Sequence, residues 1–116
     1  MRKLKDKEFL YVGHYIDKFG NFVLKVGTTN NLNRRRKEHN RAYQKTPHHP
    51  LAEGNEFEYD WYLPLSKYNT LRYEDKTKEL WKALGFGVYL NNDRFVCAEK
   101  PPAVEITIRK TYKISL

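Results

Sequence analysis

The chain has 116 residues, enough for one hydrophobic core and not for two, so a single domain spanning residues 1–116 is expected. Its 22 Lys and Arg against 14 Asp and Glu give a net charge of +8, the footprint of a nucleic-acid binder, and its nine tyrosines suit phosphate bonding and base stacking as well as core packing. The charged start (MRKLKDKE), the lack of any apolar run near the ~18 residues of a membrane span, and the absence of zinc-type Cys/His spacing lead us to expect a soluble, cytoplasmic protein with no membrane contact.

Phe9 to Ile16 (FLYVGHYI) and Phe22 to Val26 (FVLKV) carry the β-branched and aromatic residues of strands, and the intervening DKFGN turns them into a hairpin. A turn centred near Phe19 sets Gly13 opposite Lys25 and puts Tyr11, Gly13 and Tyr15 on one face. Lys25 then projects close to two phenols. Asn30 to Gln44 (NNLNRRRKEHNRAYQ) offers turn-type polar residues for an N-cap and no Gly or Pro, which predicts a helix from near Leu32. At about 100° per residue, Leu32, Arg35, Arg36, His39, Ala42 and Tyr43 share one side, while Arg34, Lys37, Glu38 and Arg41 point away. The stripe that must dock on a core is therefore half cationic. Arg35 and His39, at i and i+4, either snorkel outward or aim into a polar cleft.

Lys45 to Gly54 reads as a loop, with His48 and His49 flanked by Pro47 and Pro50. Glu56 to Leu63 alternates Phe57, Tyr59, Trp61 and Leu63 against Glu58, Asp60 and Tyr62, the pattern of a half-exposed strand. Thr70 to Leu84, capped by Asn69 and stopped by Gly85, predicts a second helix whose apolar sector is Tyr73, Thr77, Leu80, Trp81 and Leu84. Glu74 alone among its acids sits at the edge of that sector, either as a metal ligand or as a rim carboxylate paired with Lys78. Gly87 to Leu90 and Arg94 to Ala98 can pair around Asn91, Asn92 and Asp93, unless these three simply make a turn. Cys97 suits a small core residue better than a nucleophile, and Val104 to Ile108 alternates as a last strand after Pro101 and Pro102. The expected fold is α+β: a small, mainly antiparallel sheet, built from an N-terminal β-hairpin plus further strands and flanked by helices.

The run GHY, nine residues, KVG, then TTNNLNRRRKEH resembles the GIY-YIG endonuclease superfamily, whose second motif is followed eight residues after its glycine by an arginine and four later by a histidine. Counted from Gly27, these are Arg35 and His39. The resemblance covers about the first forty residues, and Glu74 on a later helix fits the family's single metal-binding glutamate. Two departures stand out. Lys25 replaces the usual tyrosine of the second motif, as in the phage and mobile-element branches, and the first-motif phenol is Tyr15 by spacing or Tyr11 by strand face.

The resemblance implies a metal-dependent endonuclease acting on double-stranded DNA. Arg35 would clamp the scissile phosphate as a bidentate donor, and Glu74 would hold one Mg²⁺ or Mn²⁺ near the leaving oxygen. Tyr15 or Tyr11, made more acidic by Lys25 and His39, would take a proton from water, or Lys25 would itself serve as base. Gly27 and Thr28, entering the helix with backbone N–H groups, would contact nucleic acid together with Arg34, Arg36, Lys37, Arg41 and Asn91, the last matching the family's late asparagine equally with Asn92. The alternatives are a catalytically weak or inactive module that binds nucleic acid through the same basic face, and a basic protein-interaction module.

Overall fold

A computed structural model describes residues 7–84, 88–90 and 94–97. Five strands, β1 (Lys7–Ile16), β2 (Phe22–Thr29), β3 (Glu58–Ser66), β4 (Val88–Leu90) and β5 (Arg94–Cys97), form one antiparallel sheet in the order β3-β1-β2-β5-β4. Helix α1 (Leu32–Tyr43) and helix α2 (Lys67–Leu84) complete the described α+β fold. The predicted Val104–Ile108 strand, the Gly85 stop and Asn91 to Asp93 lie outside the described residues.

The β1–β2 hairpin has the predicted register, with Gly13 opposite Lys25 and Tyr11 opposite Gly27. Asp17 organises its turn: Oδ1 accepts from the backbone N–H groups of Phe19 and Asn21, and Gly20 supplies the positive φ of 85°. A carboxylate that accepts several hydrogen bonds is held in its charged form. Burial pushes the Asp17 carboxyl up, but bonds from His49, Asn21 and Phe19 together bring it below its usual value.

Alternating strand residues divide the core in two. One cluster holds Leu10, Val12, Leu24, Val26, Trp61, Trp81, Phe95 and Cys97, with Tyr73 of α2 packed against it. The other holds Tyr11, Tyr15, Val23, Leu51 and Phe57, with Tyr43 of α1. The sheet thus has α2 on one face and α1 on the other. Cys97 is buried in the α2-side core and burial pushes its thiol up, as befits a small core residue.

Three expectations need correction. The alternation of Phe57, Tyr59, Trp61 and Leu63 does not put all four on one face, because the β1–β3 register shifts between Val12 and Gly13: Val12 pairs with Trp61 but Gly13 with Tyr59. Asp60 is the extra residue of a β-bulge, and it sends Phe57 and Tyr59 to the α1 side while Trp61 and Leu63 stay on the α2 side. The second helix begins at Lys67, directly after β3, so Asn69 lies inside it rather than capping it. On α1, Ala42 is exposed, and only His39 and Tyr43 of the predicted stripe are fully buried. Leu32 packs, partly buried, against the cluster that holds Tyr43.

Candidate active site

The α1 face of the sheet carries the chemistry. Asn31 caps α1, its side chain accepting from the Arg34 backbone N–H at 3.0 Å, and this cap fixes the phase that turns Arg35, His39 and Tyr43 toward the strands. The Tyr11 hydroxyl lies 2.7 Å from His39 Nε2, and the Arg35 guanidinium hydrogen-bonds the same phenol. Gly27 makes this possible. A Cβ built on it would stand 2.6 Å from the Tyr11 oxygen, so the second-motif glycine is the floor over which the phenol lies. Gly13 does the same for Phe57 and the Glu58 carbonyl.

His39 is 3% exposed, and burial, followed by the charges of Arg35 and Lys25, lowers its pKa to about 3. It is a neutral imidazole. One ring nitrogen therefore carries a proton and the other accepts, and with Arg35 donating to the phenol oxygen, the Tyr11 O–H is the natural donor to Nε2. Arg35 meets Glu38 on its outer side at 3.1 Å and its side chain is 38% exposed, so its guanidinium bridges the buried phenol and the solvent.

Tyr15 belongs to a second group on the same face. Its hydroxyl donates to the His49 carbonyl at 2.9 Å and accepts from Arg94 Nη1 at 2.9 Å. Its ring stacks on Tyr43 at 4.4 Å, and Tyr43 in turn stacks on His39 at 5.0 Å, which joins the two groups through one column of rings. Burial pushes the Tyr15 phenol up against the opposing charge and hydrogen bond of Arg94, while Asp17 adds to the rise. Burial likewise raises the Tyr43 phenol, and takes Tyr59 to about 12. The Arg94 guanidinium lies over the Tyr43 ring at 5.5 Å.

The structure thus brings together Tyr11, Tyr15, Lys25, Arg35 and His39, and adds Arg94 and Tyr43, which the sequence did not single out for chemistry. Arg94 was visible only as a charge opening a short apolar strand. Its significance depends on β5 pairing with β2, far away along the chain. Gly27 and Thr28 require a correction: they sit within β2, paired with Tyr11 and Leu10, and not at the helix N-terminus. Arg34, Lys37 and Arg41 are exposed, whereas Arg36 is committed to the segment before β3, donating to the Phe57 carbonyl at 2.8 Å and to Glu56 at 2.6 Å. Glu74 lies half-buried on α2, whose Tyr73 and Trp81 pack on the far face of the sheet, and Lys78 pairs with Asp75 at 3.3 Å. Asn91 falls outside the described residues. Among the described residues, no three His, Cys, Asp or Glu side chains group to hold a metal, and no helix is long and apolar enough to cross a membrane.

A buried phenol and imidazole on a sheet face, joined to solvent by a half-exposed arginine and flanked by the exposed cations of α1, make an arrangement suited to phosphate chemistry. Residues 8–84 match the T5orf172 domain, and the chain belongs to that family. This is a phage-associated domain found among nuclease-related families; the match is to it and not to the GIY-YIG superfamily itself. No curated protein and no solved structure matches the chain.

Proposed function

We propose that the protein is a metal-dependent endonuclease that hydrolyses phosphodiester bonds in DNA by chemistry of the GIY-YIG type. The observation that carries this reading is the convergence of Arg35 and His39 on one phenol, Tyr11, with Lys25 close enough for its charge to act on the same imidazole. Family membership supports a nuclease-related role, and the net charge of +8 supports an anionic polymer as partner.

In this reading the neutral His39 holds the Tyr11 proton on its own side, so that a lone pair of the phenol oxygen faces Arg35. A phosphate arriving at α1 finds the outer N–H groups of Arg35 and competes with Glu38 for them, and the planar fork suits it better than a point charge would. As Arg35 turns to the phosphate, the phenol oxygen is left facing the opening, where it orients the attacking water and takes its proton while passing its own to His39 Nε2. Lys25 lowers the cost of negative charge on that oxygen. Glu74 is the carboxylate that suits a hard cation keeping most of its waters, and Mg²⁺ or Mn²⁺ held there would supply Lewis-acid stabilisation of the leaving oxygen; because α2 packs on the opposite face of the sheet from Tyr11 and Arg35, this part of the reading rests on the family resemblance and on the Glu74→Ala test, not on the geometry of the cluster.

One observation favours the runner-up, a nucleic-acid-binding module with weak or no catalysis: Tyr11 and Tyr15 are both 0% exposed, so neither phenol meets water without movement of a covering side chain. One experiment separates the two. Supercoiled plasmid incubated with the protein and Mg²⁺ or Mn²⁺ should convert to relaxed and linear forms, and chelator should stop it. Glu74→Ala should abolish cleavage with binding largely retained, and Arg35→Lys should lose most activity although charge is kept. Undiminished nicking by Glu74→Ala after metal replenishment would remove Glu74 from the site; plasmid bound but never cut would leave the binding module.

A further inference from the structure

Strand β1 runs on past the start of β3: His14 and Glu58 are their final register pair, and Tyr15 and Ile16 have no β3 partner. Beside this step lies a cavity of about 470 Å³, within the roughly 300–1,000 Å³ typical of ligand sites. His14 and Ile16 of β1, Asn40 and Gln44 at the end of α1, and Glu56 and Glu58 line it. Three of the polar side chains are held by one atom, which fixes what the other presents. Asn40 Oδ1 accepts the Phe57 backbone N–H at 2.6 Å, so its NH₂ remains to donate. His14 Nδ1 lies 2.8 Å from the Asp60 carboxylate, so Nδ1 carries the proton and Nε2 of the neutral ring accepts. Glu56 Oε2 takes Arg36 Nη2 at 2.6 Å, which leaves Oε1, and Glu58 adds an exposed carboxylate at the rim. The cavity thus offers several acceptors around one fixed amide donor.

This pattern suits a ring that carries an exocyclic amine next to an unprotonated ring nitrogen. The amine donates to the carboxylates and imidazole, and the ring nitrogen accepts from Asn40, as adenine and cytosine allow. Thymine would set carbonyl oxygens against the carboxylates. Glu56 and Glu58 also repel phosphate, so a nucleotide enters base first. Its phosphate has a place outside, because the exposed Lys37 and Arg41 stand three residues from Asn40 and Gln44 and are their neighbours on the helix surface. We infer that this cavity receives one unpaired adenine or cytosine of a nucleic acid whose backbone lies along Lys37 and Arg41. The inference rests on the nucleic-acid reading for its partner and is independent of catalysis. A paired base cannot reach such a cavity, so the ligand is a single strand or an extruded base.

The test is binding of the full chain, in chelator, to single-stranded oligothymidylate, oligodeoxyadenylate and oligodeoxycytidylate of equal length at one salt concentration. All three carry the same phosphates. The adenine and cytosine strands should bind about tenfold more tightly than the thymine strand. Stacking alone also separates bases, so two variants, checked for folding by circular dichroism, decide the cause. Asn40→Asp keeps an acceptor for the Phe57 N–H but removes the donor, and Glu58→Gln removes a carboxylate at the rim. Each should bring the affinity ratios toward one while leaving the slope of log affinity against log salt unchanged, since no phosphate contact is lost. Should Asn40→Asp fail to fold, Glu58→Gln alone carries the comparison. Equal binding of the three strands by the wild type, or a preference that survives the variants, would overturn the base site even if the protein cuts plasmid. A preference that the variants abolish, in a protein that never cuts, would keep the base site and remove the nuclease reading. No binding to any strand would remove the base site and the nucleic-acid reading together.

Discussion

His39 titrates far below the value of an unfolded histidine, about 3 against 6.5, because it is buried beside two cations. A histidine kept neutral in the folded chain but protonated in the unfolded one makes the unfolded state bind more protons, so stability rises with pH between about 3 and 6.5 and is lost as pH falls through that window. The slope from one such group is at most about 1.4 kcal/mol per pH unit. Urea unfolding of wild type and His39→Gln across pH 4 to 7 should therefore show curves that converge toward low pH, and parallel curves would mean that His39 is protonated in the fold. Gly27 admits a second residue-scale test. Gly27→Ala drives a methyl into the Tyr11 phenol and should cost about 1–3 kcal/mol, part of which Tyr11→Phe should recover by removing the oxygen it meets at 2.6 Å. An equal cost in both backgrounds would place the strain elsewhere.

At the scale of elements, β3 shows what a sequence discloses and what it hides. The hairpin register was legible because two strands joined by a short turn leave one pairing that puts Tyr11, Gly13 and Tyr15 on a common face. The same periodicity gave α1 and put Arg35 and His39 on its docking side, but it left open whether they snorkel outward or aim into a polar cleft, which the packing against β1 decides. Alternation then misled at Glu56 to Leu63, because a bulge leaves no mark in a pattern of period two: Asp60 is polar like Glu58 two residues before it, and only the pairing with β1 shows it to be extra. Its carboxylate meets His14 Nδ1 at 2.8 Å. Deleting Asp60 should therefore cost little more than Asp60→Ala, since without the extra residue Tyr59 and Trp61 become consecutive and regular alternation keeps Phe57 and Tyr59 on the α1 side and Trp61 and Leu63 on the α2 side. Circular dichroism of the two variants decides this, and a deletion variant that melts far below Asp60→Ala would show that the bulge itself is needed. Arg94 was hidden for a related reason: its neighbours in the site come from β2 and α1, and no local pattern announces a ladder closed so late in the chain.

The whole molecule presents two different helical surfaces on either side of one sheet. On α1 the exposed charges Arg34, Lys37 and Arg41 are opposed mainly by Glu38, which Arg34 meets at 3.8 Å and Arg35 at 3.1 Å. On α2 the exposed Arg72, Lys76 and Lys82 alternate with the exposed Asp75 and Glu79, so positive and negative charge are mixed along the helix. Beyond a Debye length of about 8–10 Å, a mixed surface largely cancels its own field, whereas a one-signed surface does not. The α1 side should therefore attract and orient a polyanion, and it is the side on which Arg35 stands at the surface with Tyr11 beneath it. Neutralising Arg34, Lys37 and Arg41 together, as glutamines, should weaken DNA binding and lower its salt slope by about 0.9 for each phosphate that is no longer neutralised. Neutralising Arg72, Lys76 and Lys82 in the same way removes the same formal charge but should leave the slope nearly unchanged. Net charge is identical in the two variants, so titrations of both against one duplex over a range of salt separate a directed surface from general attraction. Equal weakening in the two would mean that the protein is drawn to DNA by its overall charge, with no preferred face for α1 to provide.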